Sequence, residues 1–335
     1  VTCHRTALVT GGAGFIGSHV VDQLIAEGTS VTVIDNFSSG HAENLDAARK
    51  TGKLRFVEGS ILDDIALANA MRDADVVFHM AVECVRRSLG KPLHNHEVNA
   101  TGTLKVLEAA RIAKAKRFVY CSSSEVYGNA SDGILSEAGT ICAPVTVYGA
   151  AKFVGEHYTH AYRTTYGLET MVIRPFNAYG PREHDQGDLA EVIPRFLIRI
   201  LNNLPPVVFG DGSQGRDFTY VTEVARGLIM ASKCDAMIGQ TANVAYGRMV
   251  TILDLAEHMI RLTGSNHLRP QCGEARPGDV HRLHADTRKA RELFGYGAKI
   301  EIDQGLKQYI DWFRAKYPDP SRLLEAEVQN WKMPA

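Results

Sequence analysis

Along the first half of the chain, short uninterrupted apolar runs alternate with stretches in which apolar residues recur at helical spacing. Arg5–Thr10, Ser30–Asp35, Leu54–Val57, Asp75–Met80 and Arg117–Cys121 are runs of the first kind and predict buried strands. Ile16–Glu27 and Ala100–Ala113 lie between them and predict helices. Strands apolar on both faces and separated by helices imply a parallel sheet covered on both sides, so the predicted fold class is α/β, a doubly wound parallel sheet. After Arg174-Pro175 the pattern changes. Turn-rich pieces (Pro181–Asp188, Leu204-Pro205-Pro206, Gly210–Gly215) separate a helix-like Glu191–Leu201 from short strands. The predicted division is a first domain over residues 1–175 and a smaller α/β substrate-binding domain over 176–335, whose loops reach toward the C-terminal ends of the sheet strands. Thr241–Tyr246 fits a strand returning to the first sheet, so the two domains are expected to interleave. No repeat or low-complexity tract is visible, and the stretch after Tyr317, with Pro318, Pro320 and Pro334, is loosely specified.

Composition narrows the function more than the fold. The 335 residues carry 37 Lys+Arg against 38 Asp+Glu, a net charge of -1, which argues against nucleic acid or an anionic membrane as the main partner. No run approaches the roughly 18 apolar residues of a membrane span, and no signal-peptide pattern is present, so a cytoplasmic location is expected. The cysteines at 3, 84, 121, 142, 234 and 272 lie far apart and never form C-x-x-C; neither a metal site nor a disulfide framework is expected.

Candidate chemistry begins at Thr10-Gly11-Gly12-Ala13-Gly14-Phe15-Ile16-Gly17, where the first strand meets the first helix. Gly11 permits a sharp turn, Gly14 lets the backbone approach a pyrophosphate, Gly17 allows close helix packing, and the helix N-terminus offers N–H donors. The next strand ends in Asp35-Asn36. Asp35 suits the two adenosine ribose hydroxyls and would repel a 2′-phosphate, which favours NAD over NADP and makes the first domain a Rossmann unit. Further along, Tyr148 and Lys152 form Tyr-x-x-x-Lys in a helical stretch over Val147–Tyr162, so both side chains share one face. An ammonium there, with the positive nicotinamide ring nearby, should favour the Tyr148 phenolate and make it a base near neutral pH. The serine-rich Ser122–Gly128 segment follows the fifth strand and completes the constellation.

Taken together, the motifs resemble the extended short-chain dehydrogenase/reductases that act on nucleotide sugars. The resemblance runs through TGGAGFIGSH (10–19), DNFSSG (35–40), VVFHMA (76–81), VNATGTLKVLEAAR (98–111), SSSEVYG (122–128), YGAAK (148–152), RPFNAYGPR (174–182), GDGSQGRDFTYV (210–221) and ARPGDV (275–280). It implies a tightly held NAD that oxidises the sugar, usually at C4, and later returns the hydride. Carried over residue by residue, Tyr148 is the base at the C4 hydroxyl, Lys152 holds the nicotinamide ribose and lowers the Tyr148 pKa, and Ser123 bonds the reacting oxygen. The implied cofactor contacts are Gly11, Gly14, Phe15, Ile16, Gly17, Asp35, Asn36, Ser39, Gly40, Ser60, Ile61, Ala81, Val82, Tyr148, Lys152 and Pro175. Ser60 stands where the family commonly has an Asp near the adenine. The implied substrate contacts are Glu83, Asn177, Arg182, Glu191, Val192, Arg216 and Arg276, with Asn177 and the two last arginines on the nucleotide diphosphate. Phe176 either lies beside the nicotinamide with its neighbours or packs in the core.

The net reaction stays open at this level. The resemblance suggests 4-epimerisation of a UDP-hexose or UDP-uronate as the leading reading. Ser-Glu-Val-Tyr-Gly is similar to the 4,6-dehydratases and UDP-glucuronate decarboxylases, in which the Glu works on the C5 side. A C4 ketone acidifies the C5 proton and labilises a C5 carboxylate, so Glu125 would suffice to redirect the chemistry; otherwise it orders the serine loop. Ser124 replaces the Asp with which glucose 4,6-dehydratases expel the C6 hydroxyl, and His281-Arg282-Leu283-His284 only approximates the decarboxylase arginine segment. Residues 79–88 depart from all three patterns, with Glu83 and Arg87 either lining the sugar pocket or forming a loop ion pair. A catalytically silent NAD(H)-sensing module and a net reductase are the remaining alternatives. The helices over 100–113 and 147–162 correspond to those through which relatives pair, so a homodimer is expected, with a nucleotide sugar as the small-molecule partner.

Overall fold

The computed structural model describes residues 4–130, 133–275 and 279–324. Seven strands form one parallel sheet. β1 (Thr6–Thr10), whose last four residues are buried, turns through the glycine loop into α1 (Phe15–Ala26), which leads to β2 (Ser30–Asp35) and β3 (Leu54–Glu58). α2 (Asp64–Ala70) starts where the Asp63 carboxylate accepts from the Ile65 and Ala66 N–H groups at 2.9 and 3.1 Å. β4 (Val76–His79), α3 (Gly102–Ile112), β5 (Arg117–Cys121), α4 (Val147–Tyr166) and β6 (Glu169–Pro175) complete the first half.

Two helical boundaries differ from the sequence reading. The helix expected from Ala100 is entered through a π-helical turn at Glu97–Thr101, which places the Asn99 amide against the backbone of Glu83. α4 runs four residues beyond Tyr162, because the next residue able to adopt a left-handed conformation and end it is Gly167, at φ +74.

In the second half, α5 (Val192–Leu201) and α6 (Val221–Ser232) precede β7 (Thr241–Val244), which pairs parallel with β6. α7 (Ile252–Thr263) and α8 (Ile302–Lys316) follow. The sheet order is β7-β6-β5-β4-β1-β2-β3. β1 lies between β2 and β4, so the chain reverses its winding there and opens a crevice at the strand carboxyl ends. One sheet face buries Val20 and Leu24 of α1 with Val224 and Leu228 of α6; the other buries Val106 and Leu107 of α3. A separate core of Phe196, Leu197, Met259, Leu306 and Phe313 unites α5, α7 and α8 beside the crevice. Packing thus ties α6 and β7, from the second half, into the first sheet.

Candidate active site

The crevice is a cavity of about 340 Å³, large enough for an extended small-molecule ligand. At its floor Gly11 adopts φ +66, and a Cβ there would stand 2.7 Å from the Ala81 backbone. Gly14, Phe15, Ile16 and Gly17 line the cavity at the start of α1, a helix with no side-chain cap, which leaves its first N–H groups directed at a ligand. The Asp35 carboxylate accepts from the Ala13 N–H at 2.9 Å and the Phe37 N–H at 2.8 Å, tying the end of β2 to the glycine loop. Burial nevertheless raises its pKa. Asn36, Ser39, Ser60, Ile61, Ala81, Val82 and Pro175 also line the cavity. Gly40 does not; it packs on Ala13, whose backbone a Cβ would meet at 2.9 Å, and so supports the loop from behind. The glycine cradle and the carboxylate at the end of β2 fit a dinucleotide of the NAD type.

Tyr148, Lys152, Ser123, Ser124 and Glu125 line the same cavity. Thr146 caps α4 by accepting from the Gly149 N–H at 3.0 Å, and this places Tyr148 and Lys152 in its first two turns. Lys152 Nζ donates to the Cys121 carbonyl at 2.6 Å and lies 4.9 Å from the Tyr120 ring centre. Burial lowers the Lys152 pKa to about 8. The lowering expected at Tyr148 is not found. Burial pushes the phenol well above its ordinary range, the Ser123 hydroxyl opposes this through a hydrogen bond, and Cys121, Glu125 and Cys84 add to the rise. A phenolate enclosed beside potentially anionic groups is penalised more than one hydroxyl can repay.

Glu125 stands in the cavity wall, where burial raises its pKa against the opposing charge of Arg216. Glu83 satisfies both readings of its segment: it lines the cavity and pairs with Arg87 at 3.5 Å. Asn177 and Val192 face the cavity, and the Asn177 Oδ1 is buried without a hydrogen-bond partner among the described residues, which leaves it able to bond a ligand. Glu191 also lines it, but as one half of a bidentate pair with Arg86 at 2.7 and 2.6 Å.

Two arginines depart from expectation. Arg182 is not in the cavity wall; at φ +71 it turns toward α1 and pairs with Asp22 at 2.8 Å. Arg216 is also outside the wall, held by Asp279 at 2.6 Å and by the Gly215 carbonyl at 2.9 Å. In each case a nearby carboxylate takes up the guanidinium. Arg276 lies outside the described residues, as does Cys3. Phe176 is fully buried against Tyr127, a core residue.

Sequence reasoning missed several neighbours. Cys84, Arg86, His94, Glu183 and His184 line the cavity, and Glu156 binds behind it. Only Glu156 carried a local signal, since it falls four residues after Lys152 on the same helical face.

Comparison with known proteins matches this architecture. Residues 7–245 fit the model of the NAD dependent epimerase/dehydratase family. UDP-glucose 4-epimerase of Mycolicibacterium smegmatis is 36% identical over 312 residues, covering 92% of this chain and 98% of that protein. The solved UDP-glucose 4-epimerase of Thermotoga maritima, with UDP-glucose, superposes with a TM-score of 0.87 at 34% identity, covering 93% of this chain and 99% of that one. The dTDP-glucose 4,6-dehydratase of Streptomyces venezuelae, solved with NAD, gives 0.87 at 30% identity, covering 93% and 98%. A doubly wound sheet with this glycine loop and Tyr–Lys helix defines an NAD-dependent enzyme of nucleotide sugars. The chain belongs to the NAD-dependent epimerase/dehydratase family.

Proposed function

We propose that the protein is a cytoplasmic UDP-sugar 4-epimerase that oxidises C4 and reduces it again from the opposite face. The observation that carries the redox step is the enclosure of Tyr148, Ser123 and Lys152 in one cavity with the glycine loop and Asp35. Bound NAD⁺ supplies the hydride acceptor. In this reading Ser123 orients the reacting oxygen, Tyr148 takes and returns the O4 proton, and Lys152 holds the nicotinamide ribose and offsets the cost of a phenolate. Asn177 is suited to the diphosphate, with Arg216 available if a ligand phosphate replaces Asp279. Ser124 supports epimerisation over dehydration: it is buried at the cavity beside Glu125, and a serine hydroxyl is too weak an acid to expel a C6 hydroxyl. Cys84, Cys121, Cys142, Cys234 and Cys272 are free thiols, in keeping with a reducing compartment.

One observation favours a second reading. The Glu125 carboxyl lines the cavity with its pKa raised, the state of a group able to exchange a proton at C5. This would make the enzyme a dehydratase or a decarboxylase. Incubation with UDP-, dTDP- and GDP-sugars, read by mass spectrometry, separates the two. An isobaric product is expected; loss of water or CO₂ would overturn epimerisation.

The homodimer belongs to the same proposal. Leu104 and Ile112 of α3 and Val147 and Tyr166 of α4 are exposed, leaving apolar surface on both helices for a second copy. Light scattering at micromolar concentration is expected to give twice the chain mass, and a monomer mass would refute pairing.

A further inference from the structure

Glu156 sits one turn beyond Lys152 and two beyond Tyr148 on α4, buried at 3% exposure. Ser122 Oγ donates to its Oε1 at 2.5 Å, and Arg174 on β6 donates through Nε at 2.9 Å and Nη2 at 2.6 Å. The end of β5 is therefore gripped twice by α4: Lys152 donates to the carbonyl of Cys121, and Glu156 accepts from the hydroxyl of the next residue. Ser122 immediately precedes Ser123, which lines the cavity with Tyr148 and opposes the upward shift of its phenol. Behind the carboxylate, the Arg174 guanidinium lies 4.7 Å from the Tyr127 ring centre, and the Tyr127 hydroxyl donates to Asn243 Oδ1 on β7 at 2.8 Å. A buried carboxylate is costly unless paired and hydrogen-bonded, and here both conditions are met between α4 and the ends of two strands, β5 and β6.

We propose that Glu156 is a positioning residue for the Tyr148–Lys152 chemistry: it fixes Ser122, and through it Ser123, against the phenol, and it supplies the buried negative charge facing the Lys152 ammonium. The inference rests on the Tyr148–Lys152 reading of the site. Around Lys152 stand the Cys121 carbonyl and thiol and the Tyr120 ring from β5, His79 from β4, and Tyr148 and Glu156 from its own helix, with Arg174 of β6 on the far side of Glu156. Burial holds His79 neutral and pushes the Cys121 thiol up to about 11, so near pH 8 neither carries charge. Cys121 first and Glu156 next oppose the desolvation of Lys152; with the thiol uncharged near pH 8, that opposition is left to Glu156.

The experiment measures kcat and KM against pH for the NAD-loaded protein, with the sugar nucleotide that the substrate panel shows to be turned over. Glu156→Gln should move the alkaline limb of kcat, set by Lys152, to lower pH by roughly one unit while KM stays within about twofold. Glu156→Asp keeps the charge but is too short to hold both partners; its limb should stay in place while kcat falls roughly tenfold, and Ser122→Ala should behave likewise. A folded, NAD-bearing Glu156→Gln protein with an unshifted limb overturns the proposal. Should that variant not fold, wild-type kcat in Glu156→Asp overturns it instead. Turnover retained by Tyr148→Phe would refute the underlying reading of the site, whatever the Glu156 variants do.

Discussion

Replacing Gly17 by alanine tests whether the close approach of α1 to the glycine loop limits both stability and cofactor binding. An added Cβ would fall on the Gly11 carbonyl oxygen, 3.0 Å from the Gly11 carbonyl carbon and 3.1 Å from Gly12 Cα. All are backbone atoms, and none can rotate away, so the loop or the helix must shift. Overpacking of this kind costs about 1–3 kcal/mol. At roughly 2 °C per kcal/mol for a chain of this size, Tm should fall by about 2–6 °C. The shift also displaces the Phe15, Ile16 and Gly17 N–H groups at the cavity wall, which would meet the cofactor pyrophosphate. Losing one charge-assisted hydrogen bond, worth about 1.5–3 kcal/mol, weakens NAD binding by roughly 10- to 150-fold. Calorimetric titration of the NAD-stripped protein measures the affinity, and scanning calorimetry the stability. Gly297→Ala is the control, because no atom of the described residues lies within 4 Å of a Cβ built there and its φ is not positive. An unchanged NAD affinity and Tm in Gly17→Ala would refute the argument from close packing.

Other expectations follow from the same geometry. Tyr148→Phe should lower kcat by about 10²–10⁴-fold while sugar-nucleotide affinity measured by titration changes little, since only the proton transfer is removed. Glu125→Gln should leave epimerisation within about threefold of wild type if Glu125 only lines the pocket; a loss of two orders of magnitude in a progress-curve assay would favour C5 chemistry. His19, whose Nε2 lies 2.9 Å from the Pro181 carbonyl, has its pKa lowered by burial to about 4, below the unfolded value of 6.5. Its contribution is therefore full above pH 6.5 and is lost as pH falls toward 4, amounting to about 2–3 kcal/mol by pH 4.5. Denaturant titrations should show a shallower loss of stability over that interval in His19→Gln, and an equal slope would contradict the assignment.

The sequence by itself determined the features that depend on neighbours along the chain. Alternating apolar runs and helical spacing specified the parallel sheet, because each strand must be apolar on both faces to lie between two helix layers. The glycine loop, Asp35 at the end of its strand and the Tyr148–Lys152 pair are set within one turn or one helix face, so the cofactor and the class of chemistry were legible before any contact was known. Charge partnership was not. Arg182 and Arg216 lie in motifs expected to contact the substrate, Arg216 at its diphosphate, yet Asp22 and Asp279 hold them in the folded chain, and each carboxylate arrives from a segment more than 60 residues away. The Arg86–Glu191 pair, the grip of Glu156 on Ser122 and Arg174, and the upward shift of the Tyr148 phenol are likewise products of packing. Desolvation and ion pairing sum over everything that surrounds a group, and for these residues the surroundings come from strands and helices that only the tertiary fold brings together.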